Sequence, residues 1–491
     1  MNENERESGE SHGRESKPSI THEQFRESIG KCNDIVEHSV MISDSDSRYV
    51  TLFYCDGMID HQQMQLGLLP QLDNWAKYIF SRAVVHEHPI DKKSALFSKI
   101  DTDEGTEDLY AFLFSGSVIL LFDGLHEFYE YNIGSQPGRT PEESTMELSL
   151  KGPRDGFVEQ LSTNVALVRK RLRTPHMHVQ YMRIGTESQT EVAIVYMADK
   201  AKPMLIDETI ARLENIRIPS LNGGGHLEEL ISDRPFSFFP LVDYIGRPDY
   251  VVQSIMNGRV AVLVDGSPSA VIAPGNFLLL IKSPEDMHLP YYFVMLERLL
   301  RLVGLALSMC LPGFWIALCS FNTDQIPFQL LATVTISRMG LPLSSTMEMF
   351  LMLTMFELFR EAGVRLPRPV GQTVSVVGGL IVGDAAIRAG LTSPTMLVVA
   401  AVTAVSTFTL VNQSLGGTVS LIRYLILILA STLGMFGFMV GTLAVIIYLC
   451  SLESFGMSYL APIAPPQFRK WFTALFQLPW KVRSSERRDR R

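Results

Sequence analysis

Three long uncharged stretches in the last two-fifths of this 491-residue chain constrain it more than any other feature. They are 302–321 (LVGLALSMCLPGFWIALCSF), 391–411 (LTSPTMLVVAAVTAVSTFTLV) and 424–449. Each reaches the roughly 20 apolar residues that cross the hydrocarbon core of a bilayer. A purely soluble protein is excluded. Charge divides the chain at the same place: residues 1–286 carry 27 Lys+Arg against 43 Asp+Glu, and residues 287–491 carry 16 against 9. The two parts have net charges of −16 and +7 within a total of −9, so two physically different regions share one chain.

Basic residues in short connections resist translocation, whereas acidic ones count for little. A weaker apolar run, 341–359, contains two glutamates and brings the expected crossings to four. Lys282, Arg298 and Arg301 precede the first span, and Arg338 alone follows it. Arg360, Arg365 and Arg368 follow the second, Arg423 follows the third, and the tail from 465 holds eight basic residues. This alternation predicts a cytoplasmic N-terminal region, a cytoplasmic 360–370 connection and a cytoplasmic C-terminus. The opening MNENERESGESHGRESK lacks the basic-then-apolar build of a signal peptide, so the first 286 residues are expected to stay where they are made. Residues 371–390, interrupted by glycines and by Asp384 and Arg388, are read as a re-entrant hairpin in protein surroundings, with an ordinary span carrying an Asp384–Arg388 pair as the alternative.

In the acidic region, YVTLFYCDGMID (49–60), SGSVILLFDGLHEF (115–128) and GRVAVLVDGSPSAVIAP (258–274) each run a β-rich stretch into Asp-Gly, a dipeptide suited to a tight hairpin turn. Helical patterns lie between them. In 156–172, Leu161, Val165, Val168 and Leu172 fall on one face, with Asp155 placed to cap and Arg169, Lys170 and Arg171 in the last turn. The expected fold is an α/β or α+β cytoplasmic region of two subdomains followed by an α-helical transmembrane domain. The boundaries are a 1–20 tail, subdomains 21–150 and 151–286, a helical domain 287–462 and a basic amphipathic tail 463–491. The aromatic residues among that tail's cations suit an interface with anionic lipid.

Several patterns carry no chemistry on this reading. Gly223–Gly225 matches neither phosphate-cradling signature and reads as a flexible connection. His86-Glu87-His88 has no third ligand, the five cysteines form no CxxC pair, and the basic run 169–173 is too short for nucleic acid. No catalytic residue, cofactor, metal or nucleic-acid partner is expected. In the helical domain, Glu348 is a candidate pore or gate residue, an interhelical hydrogen-bonding group being the competing reading. Glu357 is better placed to pair with Arg360. Asp384 is a second pore candidate. Pro312-Gly313 interrupts the first span as either a hinge or a static kink. Gly379 with Gly383, and Gly437 with Gly441, form small-xxx-small pairs for helix packing.

Four longer motifs are more specific: KGPRDGFVEQLSTNVALVRKRLRTP (151–175), GRPDYVVQSIMNGRVAVLVDGSPSAVIAP (246–274), FELFREAGVRLPRPVGQTVSVVGGLIVGDAAIRAGLTSP (356–394) and ESFGMSYLAP (453–462). In this order they resemble the A subunit of the GerA-type spore germinant receptors, over about 49–466. Asp384 departs from the family pattern, in which a glutamine stands there. The resemblance implies a multi-pass protein of the spore inner membrane with both termini on the core side. It implies a nutrient-binding, permease-like B subunit and a lipoprotein C subunit as partners, and a homo-oligomeric ring acting as a nutrient-gated ion channel. Two other classes compete. A secondary transporter would use 371–390 as a broken helix, and the repeated halves common in transporters are not found. An intramembrane aspartyl protease would need GxGD, and residues 381–384 read Ile-Val-Gly-Asp.

Overall fold

The computed structural model describes residues 21–42, 48–83, 97–100, 106–123, 125, 127–135, 151–365 and 383–464. The chain divides into two compact units. The first comprises 1–148, 153–231 and 244–272, and the second comprises 149–152, 232–243 and 273–491. Segments 232–243 and 273–286, which the sequence reading assigns to the second soluble subdomain, therefore belong with the helices.

The first unit opens with α1 (His22–Ile29), where Thr21 and Gln24 form a capping box. Strands β1 (Ile35–Met41) and β2 (Tyr49–Cys55) follow, then a turn of helix α2 (His61–Gln63), α3 (Leu72–Ala83), β3 (Phe97–Ile100), α4 (Thr106–Leu113), β4 (Ser117–Phe122) and β5 (Phe128–Asn132). These strands make one sheet in the order β1-β2-β4-β5-β3, antiparallel throughout. The period-two alternation of strand side chains buries both faces. Val50, Leu52, Val118 and Leu120 pack on Leu72, Ala76 and Ile79 of α3. Phe53, Ile119 and Phe128 pack on Phe25 of α1 and on Leu109 and Leu113 of α4.

The second half of this unit contains α5 (Leu161–Arg169), β6 (Met177–Ile184), β7 (Thr190–Met197), α6 (Pro203–Glu214), α7 (Gly224–Ile231), β8 (Asp243–Ile245), α8 (Pro248–Met256), β9 (Val260–Val264) and β10 (Ala270–Ala273). Its sheet order is β6-β7-β9-β10-β8. Renumbered from its first strand, this is the order of the first sheet, so the unit is one α/β module built twice. The repeat reaches single residues. Gly116 and Gly258, each with positive φ, precede β4 and β9, and Asp123-Gly124 and Asp265-Gly266 follow seven residues later.

Asp265-Gly266 therefore joins β9 to β10 as predicted, and Asp123 follows β4, while Gly124 lies outside the described residues. Asp56-Gly57 instead turns β2 toward α2, with Gly57 at φ 74° and pressed against Ser162 and Ala166. The predicted face of α5 is buried at Leu161, Val165, Val168 and Leu172. Asp155 is not its cap: it pairs with Arg171, while the Leu161 amide donates to the Asp265 carboxylate at 3.1 Å. The glycine run is no loose connection, because Gly223 at φ 101° opens α7 and Gly224 and Gly225 form its first turn.

In the second unit, α9 (Phe277–Ile281) leads into the 31-residue α10 (Tyr291–Phe321), then α11 (Phe328–Arg338), α12 (Ser345–Arg365), a helical turn 383–388 (α13), α14 (Pro394–Phe408) and α15 (Gln413–Ser451). Helix α15 is not straight. Gly434 has φ 64° and ψ −141°, outside any helical region. A Cβ on Gly437 would lie 2.0 Å from the Leu429 carbonyl oxygen, and one on Gly441 would lie 3.7 Å from the Ile426 Cα. Residues 15 apart in a straight helix are about 22 Å apart. The limbs 413–433 and 435–451 are therefore an antiparallel hairpin with its turn at Gly434.

The predicted single crossing at 424–449 is thus corrected to the inner parts of two limbs. By length and composition 291–321 is apolar and long enough to cross a membrane, and 414–451 meets the same measure only when its two limbs are counted as one helix. Helix α12 and the 15-residue α14 do not meet that measure.

Candidate functional site

The helices of the second unit meet through small residues. Gly313 lies against Ile426, with the Ile426 Cγ2 2.8 Å from where a Cβ would stand, and Gly304 lies against Thr409. Pro312 and Gly313 are both buried inside an unbroken α10. Gly313 thus serves as a contact between α10 and the first limb of α15. Gly437 and Gly441 pack the two limbs of α15 on each other, and Gly383 faces Leu397. Gly379 lies outside the described residues, as do residues 371–382 of the proposed re-entrant segment, the His86-Glu87-His88 run and the tail beyond Ala464. Among the described residues no group of His, Cys, Asp or Glu is arranged to hold a metal.

Glu348, in the first turn of α12, is completely buried. Its Oε1 accepts from Arg338 Nε at 3.3 Å, and its Oε2 accepts from the Ser393 backbone amide at 3.0 Å. Ser393 is the N-cap of α14, so a carboxylate stands where the helix macrodipole favours negative charge. One side chain thereby ties the end of α11, the start of α12 and the start of α14. Met349, Met352 and Leu353 continue the contact against Ile316, Met396 and Ala400. Asp384 is placed differently: it and Arg388 form an exposed i,i+4 pair at 2.8 Å on α13.

Further along α12 lies a second polar cluster that the sequence reading captured only in part. Glu357 pairs with Arg360, as expected, and also accepts from Arg423 Nη2 at 3.1 Å. Arg423 is 2% exposed. Its Nη1 donates to Thr407 Oγ1 at 3.2 Å, and Ser420 Oγ accepts from Arg360 and from Arg423 Nη2. Leu353, Phe356, Glu357, Arg360, Ala404, Thr407, Phe408 and Arg423 line a narrow recess of about 10 Å³, room for about one water molecule.

Near the start of α10, Asp286 accepts from Arg298 Nε at 2.8 Å and from Arg301 Nη1 at 2.9 Å, while Glu297 accepts from Arg301 Nη2 at 3.0 Å. The two arginines counted as topogenic charges are therefore buried ion-pair partners. ESFGMSYLAP forms a tight clasp, with strands β11 (Glu453–Ser454) and β12 (Met457–Ser458). Ser454 Oγ donates to the Leu241 carbonyl at 2.6 Å, and the Phe277 amide donates to the Tyr459 carbonyl at 3.0 Å. Tyr459, fully buried, packs with Phe239, Leu280 and Leu415.

In the first unit, Arg169 is fully buried and joins the two modules. Its Nε and Nη2 donate to both oxygens of Asp34 at 2.7 and 2.6 Å, and its remaining donors meet the carbonyls of Thr174 and Met177 at 3.0 Å. The guanidinium stands 4.5 Å over the Phe114 ring. Cys55 Sγ lies 3.5 Å from Asp34 Oδ2, and burial pushes its thiol pKa well up, as burial pushes that of Cys32 to about 11. Glu228 on α7 is likewise raised by burial, to about 7.

Comparison with known proteins gives the same answer along nearly the whole chain. Residues 23–489 match the model of the Bacillus/Clostridium GerA spore germination protein family. Spore germination protein XA of Bacillus anthracis is 39% identical over 452 residues, covering 91% of each chain. Spore germination protein KA of Bacillus subtilis is 30% identical over 460 residues, covering 93% of this chain and 84% of its own. The crystal structure of the N-terminal domain of the A subunit of the Bacillus megaterium spore germinant receptor GerK3 aligns at 27% identity over 53% of this chain and 97% of that one, with a TM-score of 0.38. The chain belongs to the GerA family of spore germination proteins.

Proposed function

We propose that this chain is the A subunit of a germinant receptor in the spore inner membrane. It works with a permease-like B subunit that senses the nutrient and a lipoprotein C subunit, and it couples sensing to ion release through a homo-oligomeric channel built from its helical unit. The observation that carries the membrane part is the outer surface of that unit. Leu299, Leu300 and Val303 of α10, Val398, Val402 and Val405 of α14, and Leu421, Leu425, Ile428, Leu443, Ile446 and Ile447 of α15 are all more than 40% exposed. A soluble protein rarely shows contiguous apolar surface on that scale, whereas lipid solvates it. Tyr291, Tyr292 and Phe293 at the start of α10 are exposed as well, as in an interfacial aromatic belt.

Glu348 fits a latch in such a channel better than a free pore-lining charge, because both of its oxygens are engaged. Opening that separated α12 from α14 would release the carboxylate. The test is ion flux from vesicles containing the chain with its B and C partners. Nutrient-dependent flux that disappears without this chain is the expected result. Unchanged flux without it overturns the channel reading.

A further inference from the structure

We propose that the loop 233–238, Asp-Arg-Pro-Phe-Ser-Phe, is a lipid-contacting element, seated at the boundary between headgroups and acyl chains with the Phe236 ring among the chains. This rests on the membrane reading of the helical unit and extends it to a segment outside the long helices. Phe236 is 96% exposed and Phe238 56%. Neither ring hangs on slack backbone. The Phe238 amide donates to the Tyr448 hydroxyl at 3.1 Å, and Thr418 Oγ1 donates to the Phe238 carbonyl. Arg234 Nη2 donates to the Ser451 carbonyl at 3.1 Å, and Asp233 Oδ2 accepts from the Phe455 amide at 2.9 Å. A fixed loop thus holds a large apolar ring away from the protein, and water solvates such surface poorly.

The level of the loop along the helices favours lipid. At 1.5 Å per residue, Thr418 and Tyr448 stand about 24 and 21 Å from the Gly434 turn along their limbs. The hydrocarbon core is about 30 Å thick. With the turn at the far boundary, both residues and the loop bonded to them reach the near boundary without passing into water. Helix α10 gives the same level: Phe321 touches Gly434, and Leu305, about 24 Å back along the helix, shares a buried cluster with Phe239. The loop's hydrogen bonds suit that place, because backbone polar groups in an apolar setting need partners within the protein. Pro235 has no N–H to satisfy. The Ser237 amide donates to the Arg234 carbonyl at 3.1 Å, and Ser237 Oγ donates to the Phe239 carbonyl at 2.7 Å. The surface is also continuous with exposed apolar side chains of α15, since Leu421 lies one turn from Thr418 and Ile447 adjoins Tyr448.

The test uses the full chain in phosphatidylcholine vesicles, with the native cysteines replaced and a nitroxide on a single cysteine at Phe236, Ile428 or Asn222. Collisions with oxygen, which concentrates in lipid, and with a water-soluble nickel chelate report the surroundings of each label. Ile428, exposed on the first limb of α15, is the lipid reference, and Asn222, exposed in the first unit, is the aqueous one. Phe236→Cys should give an oxygen-to-nickel collision ratio several-fold above that of Asn222→Cys and nearer to that of Ile428→Cys. An aqueous signal at 236 with a lipid signal at 428 overturns the proposal alone. An aqueous signal at both overturns the membrane reading and the proposal with it. A second variant keeps the native cysteines: Phe236→p-benzoylphenylalanine, irradiated in vesicles containing the B and C partners, should form adducts with lipid. Adducts with a protein chain instead make the loop a docking surface and overturn the lipid assignment.

Discussion

Arg169 illustrates how a single residue can be misread from sequence. It stands in a basic run at the end of an amphipathic helix, where a solvated charge favoured by the macrodipole is the natural expectation. In the fold it is fully buried, because Asp34, 135 positions away, supplies a carboxylate in bidentate geometry. Nothing local announces that partner. Removing one member of such a pair strands the other, so Asp34→Ala should destabilise the first unit by about 3–5 kcal/mol, measured by chemical denaturation. Replacing both partners with apolar residues should cost much less.

Glu348 was recognisable as an exceptional charge in an apolar run, but its acceptance from Ser393 was not, since that contact spans 45 positions. Glu348→Gln must turn an NH2 toward either Arg338 or the Ser393 amide, so it should lose about 1–3 kcal/mol in thermal or denaturant stability. Glu348→Ala should lose more. Glu228 makes a pH prediction. Its folded pKa of about 7 lies above the ordinary 4.5, so the fold favours the neutral acid. That stability is present below about pH 4.5 and is lost as pH rises through 7. Glu228→Gln should therefore stabilise the protein at pH 8 by on the order of 1–2 kcal/mol, discounted for partial exposure, and by little at pH 4.5.

At the scale of elements, local chemistry was legible where it decides the outcome. Alternating apolar residues ending in Asp-Gly gave β4–β5 and β9–β10, and their shared spacing was the visible trace of the repeated module. The first Asp-Gly misled because a turn dipeptide sets the direction of the chain without choosing the element that follows. The α15 hairpin was harder to see. An apolar run of 26 residues suits one span by length, and only the positive φ of Gly434 and the close contacts of Gly437 distinguish two limbs. Cysteines at Ile426 and Gly441, with the native cysteines removed, should form a disulfide under mild oxidation. A straight helix would hold them about 22 Å apart and leave them reduced. Gly437→Leu should prevent the limbs from closing and lower the yield of folded protein.

Across the whole molecule, the charge asymmetry at residue 286 separated an acidic part from an apolar one, but it could not reveal that 232–243 and 273–286 pack with the helices. Phe239, Leu241, Leu280 and Ile281 are buried there against Leu305, Met309 and Leu415. Their apolar character read equally well as the core of an ordinary domain. On the proposed topology, a cysteine at Asn222 should be protected from an impermeant thiol reagent in intact cells, and one at Thr323 should react. Phe321, at the end of α10 beside Thr323, touches Gly434, so the turn of the hairpin lies at the same end of the helical unit. The hairpin also bears on how the chain is made. Its two limbs meet at a glycine with uncharged neighbours from 424 to 449, so on the proposed membrane reading no hydrophilic loop would have to be carried through the bilayer during synthesis. On the proposed membrane reading, the pair of limbs would enter the bilayer together as a hairpin, tied at the end where Thr418 and Tyr448 both meet Phe238.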